Sequence, residues 1–251
     1  MDNFNVYKDI QARTKGEIYI GVVGPVRTGK STFIKRFMEL AVLPAMEDES
    51  LKAVSTDELP QSAGGKTVMT TEPKFIPKEA VQITLGDGIQ AKVRLIDCVG
   101  YMVDGAAGHV ENGEERMVKT PWSEKEIPFT QAAQIGTRKV IGDHSTIGIV
   151  VTTDGSVGEL KRSAYIDAEK QTVDELKKLG KPFILLLNST KPYSDETLKL
   201  AEQLAADYGV TVLPVSCEQL KKEDIFHILE SVLKEFPVTQ LDFHIPKWLE
   251  V

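Results

Sequence analysis

The stretch EIYIGVVGPVRTGKSTF, from Glu17 to Phe33, decides the fold. Its first part, EIYIGVV, is an apolar run that predicts a buried strand, and the residues from Lys30 to Leu40 have the spacing of a helix. Between them stands GPVRTGKS, which fits G-x-x-x-x-G-K-[ST] at every position. A glycine-rich loop between a strand and a helix N-terminus directs backbone N–H groups at phosphate oxygens. The stretch therefore predicts a P-loop.

The residues of the predicted P-loop divide into those that wrap phosphates and those that act as charges or ligands. Lys30 would reach the β- and γ-phosphates of a nucleoside triphosphate, and Ser31 would coordinate Mg²⁺. Two interpretations of Arg27 remain open: a solvated surface residue, or a cation that stabilises charge developing between the β- and γ-phosphates, within one chain or across an interface. The residues predicted to contact the nucleotide here are Gly24, Pro25, Val26, Arg27, Thr28, Gly29, Lys30, Ser31 and Thr32.

The composition is ordinary for a soluble globular protein. The chain has 251 residues, of which 41% are hydrophobic and 27% charged, and this length suits one large α/β domain. Its 37 acidic and 30 basic side chains give a formal charge of −7, so we expect no nucleic-acid partner. No apolar run approaches the ~18 residues that cross a bilayer, and the N-terminus does not resemble a secretory signal. Cys98 and Cys217 adjoin apolar runs, and we expect both to be buried and reduced.

Apolar runs and helical patterns alternate along the rest of the chain. The runs predicted as strands are Glu17 to Val23, Val93 to Asp97, Ile147 to Val151, Phe183 to Asn188 and Val210 to Ser216. The segments predicted as helices are Lys30 to Leu40, Ser163 to Leu179, Ser194 to Tyr208 and Lys221 to Phe236. Ala80 to Leu85 precedes GDG and the strand that ends in VRLID, which predicts a hairpin. The predicted fold class is α/β, with a mostly parallel sheet, one antiparallel edge strand and helices on both faces.

Residues 1–236 are predicted to form one P-loop domain, and residues 237–251 a C-terminal arm or linker. Two stretches interrupt the alternation of strands and helices: 41–73 is acidic and then polar, and 98–130 is longer than an ordinary loop. Long irregular loops in compact domains are often functional. Because both stretches follow predicted phosphate-binding segments, we interpret them as switch loops that respond to the γ-phosphate.

Two further segments supply candidates for the metal and the γ-phosphate. The strand VRLID ends in Asp97, whose carboxylate would hold Mg²⁺ directly or through water, and the backbone N–H of Gly100 would contact the γ-phosphate. Tyr101 stands where many GTPases have the glutamine that orients water, which predicts another guide, slow hydrolysis or help from a second subunit. Thr70 and Thr71 lie in a polar segment upstream. Either threonine could sense Mg²⁺ and γ-phosphate, and the sequence does not choose between them.

The end of the strand FILLLN carries a departure from the GTPase pattern. The sequence there is NSTK, so Lys191 stands where the aspartate of N-K-x-D would accept two hydrogen bonds from guanine. A lysine ammonium cannot accept a hydrogen bond. We therefore predict that guanine specificity is lost, with Asn188 either tying neighbouring loops together or contacting the base. One alternative stays open, in which Asp195 supplies the missing carboxylate.

Taken together, these motifs resemble the N-terminal nucleotide-binding domain of the stage IV sporulation protein A family of endospore-forming bacteria. The segments that carry the resemblance are, in order, GPVRTGKS, TVMTTEPKFIP, LIDCVGYMVDGA, GEERMVKTPW and FILLLNSTKP. The resemblance implies the translation-factor-related (Ras-like) class of P-loop NTPases, with ATP and Mg²⁺ bound rather than GTP. It also implies that Lys30 is the phosphate-binding lysine, that Thr70 and Thr71 are the candidate sensors and that Asp97 is the Mg²⁺-associated acid.

The resemblance further implies a biological role. Members of the family hydrolyse ATP and self-assemble into a static layer on the mother-cell side of the forespore surface, where the layer is the platform for the spore coat. The expected partners are other copies of the chain, a small amphipathic forespore membrane peptide and other spore coat proteins. The expected location is the mother-cell cytoplasm. Family members continue into further domains, through which the membrane peptide is expected to act.

The leading prediction is thus a Mg²⁺-dependent ATPase in which ATP binding and hydrolysis drive assembly of a scaffold. The competing class is a regulatory GTPase-like switch that a partner protein reads; Lys191 and the absent glutamine after Gly100 argue against it. A small-molecule kinase is a weaker third candidate. The catalytic residues expected are Lys30, Thr70, Thr71, Asp97 and Arg27, and those expected near the metal are Ser31, Thr70, Thr71 and Asp97.

Overall fold

A six-stranded sheet is the centre of the chain in the computed structural model, which describes residues 16–60, 73–84, 90–106, 110–111 and 114–236. The strands of that sheet follow the apolar runs of the sequence, where β-branched side chains suit a covered, pleated surface. In chain order the strands are Glu17–Val23 (β1), Lys74–Thr84 (β2), Gln90–Asp97 (β3), Val110–Glu111 (β4), Glu114–Glu115 (β5), Met117–Thr120 (β6), Ser123–Pro128 (β7), Ile147–Thr153 (β8), Phe183–Asn188 (β9) and Val212–Val215 (β10). The α-helices are Lys30–Phe37 (α1), Glu49–Asp57 (α2), Phe129–Lys139 (α3), Ile166–Lys178 (α4), Asp195–Tyr208 (α5) and Lys222–Lys234 (α6).

The sheet has the strand order β10-β9-β8-β1-β3-β2. Strand β1 runs parallel to both β3 and β8, and β9 runs parallel to β8 and β10. Strand β2 runs antiparallel to β3 and forms one edge of the sheet. The predicted mostly parallel sheet with one antiparallel edge strand is therefore confirmed.

Helices cover both faces of the sheet. On one face, Phe33 and Ile34 of α1 and Ile228 of α6 pack in one buried cluster with side chains of the strands. On the other face, Val173 of α4 and Leu204 of α5 belong to a second cluster. Because both faces are covered, the central strands β8 and β9 are buried at every residue, as their unbroken apolar runs predict.

The boundaries of several elements differ from the predicted ones. Strands β1 and β9 have the predicted limits, whereas β10 is shorter and comprises Val212–Val215. Helix α1 ends at Phe37 and continues as a π-helical turn, Met38–Val42. The helix predicted from Ser163 begins with a 3₁₀ turn, Arg162–Tyr165, and becomes α-helical at Ile166.

The segment 41–73 is not irregular throughout, which corrects the prediction for its first part. Helix α2 occupies Glu49–Asp57, and the Asp48 side chain accepts hydrogen bonds from the backbone N–H groups of Ser50 and Leu51. An aspartate at the N-cap supplies acceptors that the first turn otherwise lacks, so the acidic stretch starts a helix. Residues 61–72, with the candidate sensors Thr70 and Thr71, lie outside the described residues.

The segment 98–130 also contains regular structure, where a long loop is predicted. Strands β6 and β7 pair in an antiparallel hairpin around Pro121 and Trp122, and β4 pairs with β5. Helix α3 begins at Phe129, one residue before the predicted end of the loop. Short, charged strands on a two-stranded hairpin lack the buried, alternating pattern by which sequence reveals a strand. Residues 237–251, predicted as an arm or linker, lie outside the described residues.

Cys98 and Cys217 are both buried free thiols, as expected. Burial raises the pKa of Cys98 to about 11 and that of Cys217 to about 12, so both remain protonated at neutral pH. Within the described ranges, no helix has the length and apolar character needed to cross a membrane.

Candidate functional site

The candidate site lies at the carboxyl edge of the parallel strands. The P-loop follows β1, Asp97 ends β3, and Asn188 ends β9. Strand β1 has β3 on one side and β8 on the other. The connections that follow β1 and its two neighbours therefore diverge at the P-loop. A crevice at such a point is where open α/β sheets bind nucleotides.

Lys30 is buried inside the P-loop. Its Nζ donates hydrogen bonds to the carbonyl oxygens of Pro25, at 2.6 Å, and Gly24, at 3.3 Å. Burial lowers the pKa of Lys30, while Cys98 and Asp97 act in the opposite direction. A buried ammonium that donates to two backbone carbonyls is suited to an anionic ligand, because phosphate oxygens favour its charged form.

Asp97 and Ser31 form the candidate metal-binding pair. The Ser31 hydroxyl donates to Asp97 Oδ2 at 3.5 Å. Burial raises the pKa of Asp97 to about 6, against the lowering influence of Lys30. Mg²⁺ prefers oxygen ligands and is commonly held by one or two protein side chains together with substrate phosphates. This donor set fits that pattern; in the described residues, no cluster of three or more His, Cys, Asp or Glu offers an all-protein cage.

Gly100 lies directly against the P-loop. The Tyr101 N–H donates to the Gly24 carbonyl at 3.3 Å, and the Val26 N–H donates to the Tyr101 carbonyl at 2.9 Å. Gly100 has φ +91°, and a Cβ there would collide with the Gly24 carbonyl and with Nζ of Lys30. Only glycine allows this approach, so the D-x-x-G segment and the P-loop are held as one backbone unit.

Tyr101 does not take the place of a water-orienting glutamine. It is 1% exposed, and its hydroxyl donates to Glu175 of α4, which also accepts from Arg138 Nε at 2.9 Å. Burial, followed by the hydrogen bond to Glu175, raises the pKa of Tyr101 above its usual range. Its ring belongs to a buried cluster, hereafter the Tyr101 cluster, made of Val26, Tyr101, Val103, Ala106, Tyr165 and Ala168.

Asn188 ties two loops to the P-loop. Its Nδ2 donates to the Thr28 carbonyl at 2.9 Å, and its Oδ1 accepts from the Cys217 N–H at 3.0 Å. A Cβ at Gly29 would collide with this amide, which explains the glycine. Of the two roles predicted for Asn188, the structure contains the loop connection.

The residues that replace N-K-x-D have different surroundings. Ser189 is fully buried, within 3.4 Å of the Thr197 hydroxyl, and accepts a hydrogen bond from the Lys191 N–H. The Lys191 side chain is exposed. Asp195 is also exposed and begins α5, behind the N-cap Ser194.

Asp154 is a carboxylate near this strand end that sequence analysis missed. Its Oδ1 accepts from the Ser156 N–H at 2.8 Å, and its Oδ2 accepts from the Thr197 hydroxyl at 3.4 Å. Burial alone would raise the pKa of Asp154, but hydrogen bonds from Ser156, Ser189 and Thr197 lower it overall. Its signal in the sequence is weak, because T-T-D-G after a strand is typical of any polar turn.

Arg27 lies in the middle of the P-loop with an unusual backbone. Its φ is +62°, a left-handed value that non-glycine residues seldom adopt, and its side chain is half-buried. Positive φ in such a residue persists where the surroundings fix it, and clusters at binding sites. Thr32 is half-buried in the first turn of α1. The structure thus brings together the P-loop, Asp97, Gly100 and Asn188, and describes nothing of Thr70 and Thr71.

The family model of the stage IV sporulation protein A ATPase domain matches residues 1–237. The chain belongs to this family. The resemblance that the motifs indicate is therefore confirmed, and the chain contains a sporulation ATPase domain.

Three relatives show how far the likeness extends. Stage IV sporulation protein A of Bacillus subtilis (strain 168) is 51% identical over 251 residues, which are 100% of this chain and 51% of the relative. The protein of the same name from Bacillus anthracis gives the same values. That of Clostridioides difficile (strain 630) is 52% identical over 248 residues, 99% of this chain and 50% of the relative. The chain spans about half the length of these stage IV sporulation protein A relatives.

Proposed function

We propose that this chain binds Mg²⁺ and ATP at the P-loop, hydrolyses ATP, and uses the cycle to drive self-assembly of a scaffold layer on the forespore surface for spore coat assembly. The observation that carries the ATPase part is the pairing of Ser31 with Asp97 beside the buried Lys30. A cation at that pair and a lysine on the phosphates together supply the charge neutralisation that phosphoryl transfer requires.

Each site residue has a proposed task. Lys30 would hold the β- and γ-phosphates, and Ser31 and Asp97 would hold Mg²⁺, which supplies Lewis-acid neutralisation of the triphosphate when bound. The N–H of Gly100 would contact the γ-phosphate from its place against the P-loop. Thr70 or Thr71 would sense the γ-phosphate, a proposal that rests on the sequence alone.

The proposed partners and location follow from family membership. We propose that the chain associates with further copies of itself, with a small amphipathic forespore membrane peptide and with other spore coat proteins, on the mother-cell cytoplasmic side of the forespore. The relatives are about twice as long as this chain. The membrane peptide is therefore proposed to act through parts of the relatives that this chain does not match.

Phosphate release and sedimentation of the same samples test the two parts of the proposal separately. The parent chain with Mg²⁺ and ATP is expected to release phosphate and to form sedimentable assemblies. Thr70→Ala combined with Thr71→Ala should still bind a fluorescent ATP analogue but lose turnover, because a sensor acts mainly in the reactive arrangement. Thr84→Ala, at an exposed position on β2, is the matched control and should behave as the parent.

The two parts fail in different ways. Phosphate release no greater than that of Asp97→Ala would contradict the ATPase proposal. Normal phosphate release from ATP, combined with no sedimentable assembly in samples with ATP and in samples without it, would contradict self-assembly of this chain. That result would leave the ATPase proposal intact. Parental turnover in the double threonine variant would place the γ-phosphate sensor elsewhere.

A further inference from the structure

The hydroxyl of Tyr165 is a buried polar group that has no hydrogen-bond partner in the described part of the chain. The residue is fully buried in the Tyr101 cluster. A buried hydroxyl without a partner is costly, and a phenylalanine would fill the same space without that cost. An orphaned hydroxyl in a well-packed cluster therefore points to a partner that arrives during function.

Tyr165 lies beside the P-loop. Its ring belongs to the same buried cluster as Val26, which directly precedes Arg27. On another side passes the loop after β8, where a Cβ at Gly158 would lie 3.4 Å from the Tyr165 hydroxyl. Burial raises the pKa of the Tyr165 hydroxyl, and the positive charge of Arg27 acts in the opposite direction. The surroundings of the Tyr165 side chain thus include the P-loop residue before Arg27 and the loop after β8.

The position of Tyr165 is fixed from outside the P-loop. Tyr165 ends the 3₁₀ turn that begins at Arg162. The guanidinium of Arg162 donates to the buried Glu169 of α4 at 2.7 Å and to the Thr153 carbonyl, at the end of β8, at 3.2 Å. Tyr208 of α5 also donates to Glu169, at 2.8 Å. A turn held to one strand and two helices keeps the tyrosine in place whatever the P-loop binds.

Arg27 would have to point at one phosphate oxygen to act in the proposed reaction. It is half-buried and leaves the P-loop from a left-handed backbone, beside the place where the phosphates would lie. A guanidinium on a long, flexible stem loses considerable freedom when it must point at one phosphate oxygen. A fixed acceptor close to the stem reduces that loss before the reaction begins.

We propose that Tyr165 is a positioning residue that accepts a hydrogen bond from the Arg27 guanidinium when a triphosphate fills the P-loop. The two groups are complementary, because a hydroxyl oxygen accepts while a guanidinium only donates. The bond satisfies the orphaned hydroxyl and directs the remaining N–H groups of Arg27 toward the β- and γ-phosphates. This inference rests on the proposed ATPase function and deepens it, since it assigns Arg27 a role in turnover within its own chain.

Tyr165→Phe is the decisive variant, because it removes one oxygen atom and keeps the ring that packs in the Tyr101 cluster. We expect kcat for ATP to fall about tenfold while KM changes less than about threefold, as for a misoriented catalytic group. We expect the melting temperature to stay the same or rise, because an unpartnered buried hydroxyl is lost. In an Arg27→Ala background, Tyr165→Phe should have no further effect on kcat.

Tyr19→Phe is the matched control, since it removes a tyrosine hydroxyl that already has a partner, Glu17, near the start of β1 and away from the P-loop at the other end of that strand. It should leave kcat unchanged and should not raise the melting temperature. The inference is overturned if kcat of Tyr165→Phe is within about twofold of the parent, if its melting temperature falls, or if its effect multiplies that of Arg27→Ala. A parent chain that does not hydrolyse ATP would instead contradict the proposed function, before any variant is compared.

Discussion

Lys30 shows how one side chain can serve both the fold of a loop and its ligand. Its ammonium is buried and donates to two carbonyls of the P-loop, so Lys30 supports the loop in addition to its predicted contact with phosphate. The same ammonium has a lowered pKa because of burial, which makes an anionic partner favourable. Loop geometry and ligand binding are thus linked through one atom, Nζ.

Lys30→Ala is expected to weaken binding of a fluorescent ATP analogue about 10- to 150-fold with Mg²⁺ present. This range corresponds to the free energy of a hydrogen bond to a charged group. The physical reason is the loss of a charge that contacts phosphate from inside the loop. Lys35→Ala is the matched control, because Lys35 is on the same helix and 42% exposed, 3.9 Å from Glu39. Affinity near that of the parent in Lys30→Ala would contradict the P-loop assignment.

Arg27→Ala is expected to lower kcat by about 100-fold, equivalent to ~3 kcal/mol, and to change KM much less. The reason is that a cation beside the β–γ bridge acts mainly on charge that develops in the transition state. Steady-state phosphate release measures both constants. Unchanged kinetics would make Arg27 a surface residue of the loop.

Mixing Arg27→Ala with Asp97→Ala separates action within one chain from action across an interface. Each variant lacks a different part of the site, so recovery of turnover in the mixture requires an arginine from a second copy. The positioning of Arg27 by Tyr165 predicts no recovery, because the guanidinium is then held beside its own P-loop. Recovered turnover would contradict that positioning.

The grouping of the candidate site residues could be predicted because each belongs to a short motif. Gly24, Lys30 and Ser31 stand in one contiguous pattern, and Asp97, which follows an apolar run, lies beside Ser31 in the structure. Tyr165 and Asp154 belong to no motif, and only the fold shows what lies next to each of them. The presence of Tyr165 and Val26 in one buried cluster, far apart in sequence, is not visible in spacing alone.

At the scale of elements, the end of β9 joins three parts of the site through one amide. Asn188 donates to the P-loop and accepts from the loop after β10, and a side chain with only one of these functions could bind only one of the two neighbours. The amide thereby sets the distance between the P-loop and the loops on which a nucleotide base would rest.

Asn188→Ala is expected to lower the free energy of unfolding by about 1–3 kcal/mol, because it leaves the Thr28 carbonyl and the Cys217 N–H unpaired. Affinity for the ATP analogue should fall as well, since the P-loop loses its lateral support. Chemical denaturation and titration measure the two effects. Thr190→Ala is the control at an exposed position two residues further on and should match the parent. Parental stability in Asn188→Ala would show that the two loops hold their places without it.

Elements were predictable in proportion to the regularity of their apolar pattern. Strand β9 is buried at every residue and β1 at five of its seven, and the apolar runs of both strands predict their first and last residues correctly. Helix α2 is exposed along most of its length and depends on the cap at Asp48, so its polar sequence indicates a loop as readily as a helix. The hairpin of β6 and β7 is missed by the sequence prediction for the same reason, because it lies outside the main sheet and has few buried positions.

At the scale of the whole molecule, the Tyr101 cluster joins three segments at the P-loop. Val26 comes from the P-loop, Tyr101 and Val103 from the D-x-x-G segment, and Tyr165 from the turn before α4. Beyond the cluster, the Tyr101 hydroxyl reaches Glu175 and, through it, Arg138 of α3. A displacement of the D-x-x-G segment would therefore disturb α3 and α4, which offers a physical route from nucleotide state to the molecular surface.

The preference of the whole site for adenine or guanine distinguishes an ATPase from a regulatory GTPase. A site that reads guanine needs a pair of acceptors for its ring N–H and amino group, and Lys191 offers donors instead. Asp154 stands after β8 and not in the NSTK segment, and its oxygens already accept from Ser156 and Thr197. A polar edge left unmatched costs about 1–3 kcal/mol, so the chain should prefer ATP to GTP by roughly 5- to 150-fold.

Displacement of bound ATP by GTP in the presence of Mg²⁺ measures this preference in binding. The turnover rate of each nucleotide measures the preference in hydrolysis. Lys191→Asp should shift preference toward GTP, because Lys191 is exposed and an aspartate there can supply the acceptors. Adding Ser189→Lys should cost stability, since Ser189 is fully buried and hydrogen-bonded, and a long cation cannot occupy its place without repacking. Lys199→Asp, at an exposed position on α5, makes the same charge change away from the base and should leave the preference as it is. Equal or better use of GTP by the parent chain would overturn the ATPase proposal in favour of the GTPase-like switch.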